Sequence, residues 1–418
     1  MPPSLSDNSS HDQAEAAERP RAIVVGAGPA GLAAAEALAQ GGAAVTIHER
    51  MPNPARKFLL AGRGGLNLTH SEPLETFLSR YGAARSRLEP AIRAFPPEAL
   101  RDWCESLGIE TFVGSSGRVF PGAMKASPLL RAWLARLAAL GVDLAARSRW
   151  TGWDGDALVF ETPAGRRTVQ SDIAIFALGG ASWPRLGSDG GWQAAFAQRG
   201  ASVMPLRPSN SGFLIDWSDI FRTRFAGHPI KAACFSHGRT GVRGEAIMAD
   251  YGIEGGAIYA LSAALRDAIE ADGEAMLAID LIPDVAEETL AARLSGRGGD
   301  SAANRLRKLG LSAAAASLLR EDMRGGALPA DPVLLAQRIK NVRLRLTRTA
   351  PLGRAISTAG GISWDSIHPD YSLRSDPRTF VCGEMLDWEA PTGGYLLQAC
   401  FATGRAAAMG ALARLSAA

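Results

Sequence analysis

The sequence predicts an α/β fold: one doubly wound domain built from both ends of the chain, with an insertion between them. Three observations predict it. A strand, a glycine turn, a helix and a second strand follow one another between Ala22 and Glu49. Apolar runs that stop at glycine recur at 173–178 and 379–382. The block between them, about Ser202 to Arg345, has a different texture.

The opening unit carries the most information. The strand Ala22 to Val25 runs into Gly26-Ala27-Gly28-Pro29-Ala30-Gly31. A helix from Leu32 to Gln40 ends at Gly41-Gly42, and the strand Ala44 to His48 stops at Glu49. The first glycine makes the tight turn, the second lets backbone amides approach a pyrophosphate, and the third lets helix and strand pack closely. Free N–H groups and the helix dipole favour an anion at such a helix start. Glu49 lies 23 residues after Gly26, near the spacing of about 20 for an acid that hydrogen-bonds a ribose hydroxyl. The unit points to an adenine dinucleotide; a structural βαβ unit with an empty turn is the alternative.

The later elements follow in order. Residues 56–69 read as a basic, glycine-rich loop. Pro97 to Leu107 has helical spacing, and Gly117 to Pro121 is a short strand or turn. Pro128 to Leu140 is an amphipathic helix with Leu129, Leu130, Trp133, Leu134 and Leu137 on one stripe. Asp143 to Val169 alternates and breaks at Asp154-Gly155 and Ala164-Gly165, which predicts a small antiparallel meander. Ile173 to Leu178 is apolar throughout, as for a parallel strand buried on both faces. The middle block is strand-like at 213–215, 232–235 and 244–248, then helical at 287–294, 303–309, 313–323 and 332–340. Thr379 to Cys382 is a last strand, and Pro391-Thr392-Gly393-Gly394 leads into a helix from Tyr395 to about Leu412. The expected division is a disordered tail at 1–20, a discontinuous domain at 21–200 plus 346–418, a β-rich insertion at 201–280 and a helical one at 281–345.

Composition excludes several classes. With 418 residues, more than one domain is expected. A formal charge of +3 offers no strong field for nucleic acid or an anionic membrane. The four cysteines, at 104, 234, 382 and 400, form no CxxC pair, which argues against a disulfide framework, a zinc site and a dithiol motif. A reducing, cytoplasmic setting fits. The absence of 18 consecutive apolar residues predicts no membrane-spanning helix.

Three glycine turns converge on one domain, at 26–31, 177–180 and 383–384. A dissociable NAD site needs the first turn and its acid; an FAD bound in extended form also uses the others. If Gly393 and Gly394 present free N–H groups, the last helix can face the flavin N1–C2=O edge and stabilise the charge of the reduced ring. A plain helix start is the alternative.

From Ala22 to Gly410 the chain resembles the BaiN-type flavoproteins, also described as aminoacetone-oxidase-like or NAD(FAD)-utilising dehydrogenases. The resemblance is carried by Gly26 to Gly31, Lys57 to Thr69, Gly117 to Pro121 with Lys125-Ala126-Ser127, Ala177 to Ser188, Thr358 to Ser363, and Gly383 to Gln398. It implies a Rossmann-like, glutathione-reductase-like FAD domain with β-barrel-like and helical domains inserted together. It implies non-covalent FAD and NAD(P)H as electron donor. Many members carry Gly-Gly-Arg-Cys-Asn where this chain reads Gly62-Arg63-Gly64-Gly65-Leu66-Asn67, and a Lys-Thr-Met-Glu-Ser run is replaced at 370–375.

The expected cofactor set begins with Gly26, Gly28, Pro29, Ala30 and Gly31, then Glu49 and Arg50. Lys57, Gly62, Arg63 and Gly64 follow, with Ala177 and Gly179. The C-terminal part supplies Gly383, Glu384, Gly393, Gly394, Tyr395 and Leu396. Flavin chemistry asks few groups of the protein, so the candidates for chemistry are few. Arg63 could bind an anion or lie on the surface. Asn67 could reach the ring or cap a segment. His70 could donate a proton or face solvent. Tyr395 and Gln398 could face the ring, although Tyr395 could simply pack. The turn at 251–256 could close a substrate cavity. No metal is expected. The leading function is an FAD-dependent oxidoreductase, reduced by NAD(P)H, that passes hydride to a small organic acceptor, as a monomer or homodimer. The alternatives are an amine oxidase that uses oxygen and a flavin-binding module in RNA modification or redox sensing.

Overall fold

The computed structural model describes residues 19–295, 300–323 and 326–417. Residues 1–18 of the expected tail lie outside these. Arg19 and Pro20 belong to the fold: the Arg19 guanidinium donates to the Gly42 and Ala43 carbonyls at 2.9 and 2.8 Å, and the Ala44 N–H donates to the Pro20 carbonyl at 2.8 Å.

A five-stranded sheet has the order Thr379–Val381, Ile173–Phe176, Arg21–Val25, Ala44–Glu49, Asp143–Ala146. All four pairings are parallel. Both chain ends supply it, as the apolar runs require, and Ile173 to Phe176 and Thr379 to Val381 are buried throughout. The strand order reverses at the first strand, which places a crevice outside the carboxyl ends. The first helix, Pro29–Gln40, packs on the last, Tyr395–Ala417. The approach is so close that a Cβ on Gly404 would stand 2.2 Å from the Ala30 carbonyl oxygen. By length and composition this last helix could cross a membrane, contrary to expectation; its apolar length is spent on packing in the core.

Three other expectations are corrected. Asp143–Ala146 is the edge of the parallel sheet, and the meander begins only at Arg149. This edge strand is short and largely exposed, so it lacks the continuous apolar run that marks a buried parallel strand. Arg56–Ala61 is a helix and not a loop, followed by a 3₁₀ turn at Gly62–Gly64. It starts after Ala55 in left-handed conformation, held by a tertiary bond from its N–H to the Ala27 carbonyl (2.9 Å) that no local pattern announces. The stretch 251–256 forms the strand Gly252–Glu254 and the start of a 17-residue helix, Gly256–Asp272.

The insertion contains a six-stranded antiparallel sheet in the order Phe213–Leu214, Gly252–Glu254, Thr240–Ala249, Pro229–His237, Ala275–Asp280, Val342–Leu346. An antiparallel bridge from Phe213 to Thr349 draws its two edges together in barrel-like fashion. The helices Glu287–Ser295, Ala302–Lys308, Ala313–Asp322 and Pro332–Lys340 lie between its last two strands. The insertion has its own apolar cluster, from Phe213 to Leu346, apart from that around the parallel sheet. A two-stranded ribbon of Val203–Ser209 and Ser357–Ile362 carries the chain in and out.

Candidate functional site

A cleft of about 630 Å³ runs along the carboxyl ends of the parallel strands. One end is the turn from Gly26. A Cβ on Gly26 (φ +103°) would stand 2.5 Å from the Ala177 carbonyl oxygen, and one on Gly31 1.9 Å from the Gly26 carbonyl oxygen. A Cβ on Gly28 would meet no atom within 4 Å, because this glycine opens into the cleft. The helix starts at Pro29, which loses nothing by lacking an N–H at that position. The first and third glycines are therefore packing devices, and the second leaves room for a ligand.

Glu49 closes this end. Its Oε2 accepts the Ala27 N–H at 2.9 Å and its Oε1 the Met51 N–H at 2.8 Å. Burial pushes its carboxyl pKa up, against the pull of those two amides and of Arg50 and Arg56. Each oxygen keeps a lone pair for a ligand hydroxyl. Arg50 is paired with Asp189 at 2.5 Å.

At mid-cleft, Lys57 Nζ donates to Glu384 Oε2 at 2.9 Å and to Ser182 Oγ at 2.8 Å. Glu384 Oε1 accepts the Thr358 N–H at 2.9 Å, and Oε2 the Gly180 N–H at 3.3 Å. This buried carboxylate ties four chain segments together, so it shapes the walls through protein contacts. Ala177, Gly179 and Gly383 line the same stretch. Cys382 and Cys400 line it as thiols: burial pushes both pKa values up, that of Cys400 to about 12.

At the far end, Gly393, Gly394 and Leu396 line the cleft. Gly394 (φ +96°) presses on Thr69, whose Cα would lie 2.5 Å from an added Cβ. Asn67 faces the cleft here, and its Oδ1 is buried with no hydrogen-bond partner.

Several expected site residues do not reach the cleft. Gly62 is packed on Ala126, Arg63 and Gly64 are exposed, and Gly31 serves the turn. Tyr395 turns away: its hydroxyl donates to Glu72 at 2.7 Å, and its ring packs on Phe77 and His70. His70 Nε2 lies 3.0 Å from the Ser116 carbonyl, and its Nδ1 accepts the Glu72 N–H at 3.1 Å. Gln398 is fully buried and donates to the Phe95 carbonyl at 2.6 Å. None of residues 251–256 lines the cleft. Among the described residues no cluster is suited to hold a metal.

Sequence reasoning missed other lining residues: Arg56, Arg118, Ser148, Trp150, Trp192 and Asn210. Placing Asp143–Ala146 in the parallel sheet would have put Ser148 and Trp150 just beyond its carboxyl edge. His48 also lines the cleft; it stacks on Phe160 with 3.8 Å between centroids, and its Nδ1 lies 2.7 Å from Ser148 Oγ. Burial, aided by Arg167, lowers its pKa to about 4.

The open side of Gly28 and the orphaned Asn67 oxygen, at opposite ends of one cleft, suit an extended dinucleotide. No curated protein matches the chain in sequence. Among solved structures, 3-ketosteroid delta1-dehydrogenase from Sterolibacterium denitrificans superposes with a TM-score of 0.53 at 13% identity, over 94% of this chain and 99% of that one. The 3-ketosteroid-delta4-(5alpha)-dehydrogenase from Rhodococcus jostii RHA1 gives 0.50 at 16%, over 96% and 99%. Mycobacterium smegmatis Sdh1 gives 0.50 at 15%, over 96% and 69%. Such likeness speaks for the fold alone. The profile of the HI0933-like protein Rossmann domain matches residues 20–410. The chain therefore belongs to the HI0933-like Rossmann family of FAD-binding oxidoreductases.

Proposed function

We propose that the chain takes electrons from NAD(P)H and passes hydride to a small organic acceptor. The observation that carries this reading is one cleft with a phosphate-type glycine turn at one end and a glycine-led helix start at the other. Bound there, FAD supplies the hydride-carrying ring. The start of the helix Pro29–Gln40, with Arg56 beside it, holds the pyrophosphate. Glu49 accepts a ribose hydroxyl. Gly393 and Gly394 place the start of the last helix at the ring, where its dipole favours added negative charge. Asn67 Oδ1 accepts a hydrogen bond from the ring or from substrate. The two lining thiols stay protonated and take no part. Only one glycine-turn dinucleotide unit occurs in the sequence, so the nicotinamide docks transiently, against the insertion.

The test is anaerobic. Purified protein should show a flavin spectrum that NADH or NADPH bleaches. A yellow protein bleached by neither donor would refute the donor assignment and leave the cofactor assignment standing. Peroxide released on mixing with an amine in air would instead favour the oxidase reading.

A further inference from the structure

Not every cation that lines the cleft has a carboxylate partner. Three carboxylates line it, and all are committed. Glu49 accepts the Ala27 and Met51 amides, Asp189 holds Arg50 at 2.5 Å, and Glu384 holds Lys57 at 2.9 Å. Arg149, also in the lining, faces Glu161 at 3.6 Å. Two lining guanidiniums remain, Arg56 and Arg118, with no ion pair or side-chain hydrogen bond among the described residues.

These two cations stand at different ends. Arg56 follows Ala55, whose N–H bonds the Ala27 carbonyl at 2.9 Å. It therefore sits beside the phosphate turn, where a pyrophosphate uses its charge. Arg118 begins the strand Arg118–Pro121, which pairs with Thr69–His70. The Leu68 N–H bonds the Val119 carbonyl at 2.9 Å, and Gly394 rests on Thr69. These backbone contacts gather Arg118, Asn67 and Gly394 at the end of the cleft opposite the phosphate turn. There Arg118 has no phosphate to meet.

We infer that Arg118 anchors a carboxylate on the substrate, so that the acceptor is a small organic acid. A guanidinium fork matches a carboxylate with two parallel hydrogen bonds. Among the described residues that line the cleft, no second unpaired cation stands at this end to make a phosphate site. The orphaned Asn67 oxygen offers an acceptor for a hydroxyl or N–H of the same ligand.

This inference rests on the flavoprotein reading, and its test separates the two. Acetate, crotonate and benzoate, each against its neutral amide, are titrated into the oxidised holoprotein, and the visible flavin bands report binding without turnover. At least one acid should perturb the bands saturably, at least tenfold more tightly than its amide. Arg118→Gln should weaken that acid at least tenfold, leave the amide unchanged and keep full FAD content; Arg118→Lys should recover part of the loss. Equal affinity for acid and amide, unchanged acid binding in Arg118→Gln, or no response to any acid would overturn the anchor. A wild-type protein that binds no FAD would overturn the cofactor reading itself.

Discussion

Gly28 and Gly31 stand three residues apart and are empty for opposite reasons. A side chain at Gly28 enters open space in the cleft, whereas one at Gly31 enters the Gly26 carbonyl. Gly28→Val should therefore fold with unchanged apo-protein melting yet purify without flavin colour; yellow, fully loaded mutant protein would contradict the phosphate assignment. Gly31→Ala should unfold more readily, at or beyond the upper end of the about 1–3 kcal/mol typical of overpacking, because the obstacle is backbone. Urea titration distinguishes the two. His48 makes a second residue-scale prediction. Its folded pKa of about 4 lies below the ordinary 6.5, so the unfolded chain binds more protons between these values. The neutral form thus contributes stability above pH 6.5, which is lost as pH falls toward 4. The loss should be on the order of 1–3 kcal/mol. His48→Asn should flatten this part of the pH–stability curve, and an unchanged slope would show that other groups carry it. The packing roles of Gly26 and Gly31 were legible because each follows from one residue and its neighbours. The fate of His70 and Tyr395 was not, since Glu72 and the aromatic cluster claim both through folded contacts.

At the scale of elements, segments with a strong local period were legible: both flanking strands of the first turn, the helix through Trp133, and the four helices between the last two strands of the insertion. The helix Gly256–Asp272 escaped because glycine marks its start and no polar side chain caps it. That helix carries Arg266, which is almost fully buried. Its guanidinium grips both oxygens of Glu389, at 2.7 and 2.9 Å, and donates to the Pro208 carbonyl at 3.0 Å. Glu389 also accepts the Ser209 hydroxyl at 2.7 Å, and Asn210 donates to the Ala390 carbonyl at 2.8 Å. The insertion thereby holds the segment that leads into Gly393 and Gly394. The pair spans 123 residues, so no sequence window contains it. Removing Arg266 leaves Glu389, still 28% exposed, without its ion partner, which costs about 3 kcal/mol, the lower end for a buried pair, while replacing both with apolar groups is often neutral. Arg266→Met should be destabilised by that amount, and Arg266→Met with Glu389→Leu should regain most of it. If the double variant is as unstable as the single, the pair is not the coupling element.

Across the whole molecule, two apolar cores share one chain. The first spans 22–201 and 362–411, and the second spans 213–346. Between them run the ribbon of Val203–Ser209 with Ser357–Ile362 and the Arg266–Glu389 pair. The composition change near residue 202 made the insertion visible. The ribbon was not visible, because its strands lie 148 residues apart at Ser209 and Ser357. Nearly all of the cleft belongs to the first core's side, with Asn210, Ile356 and Ser357 from the connecting segments. A ligand there should stabilise one unit more than the other. At a hundredfold excess over its dissociation constant, FAD contributes about 2.7 kcal/mol to whatever unfolds with the cleft. For a unit of roughly 200 residues each kcal/mol moves the midpoint by about 2–4 °C, which gives a shift on the order of 5–10 °C. One ribbon and one ion pair are a small link beside two cores, so calorimetry of the apo-protein should resolve two transitions. Added FAD should raise one of them by that shift and leave the other nearly in place. Arg266→Met should pull them further apart. A single transition that FAD moves as a whole would show that the insertion and the dinucleotide domain unfold as one body, and that the buried pair binds them more firmly than its size implies.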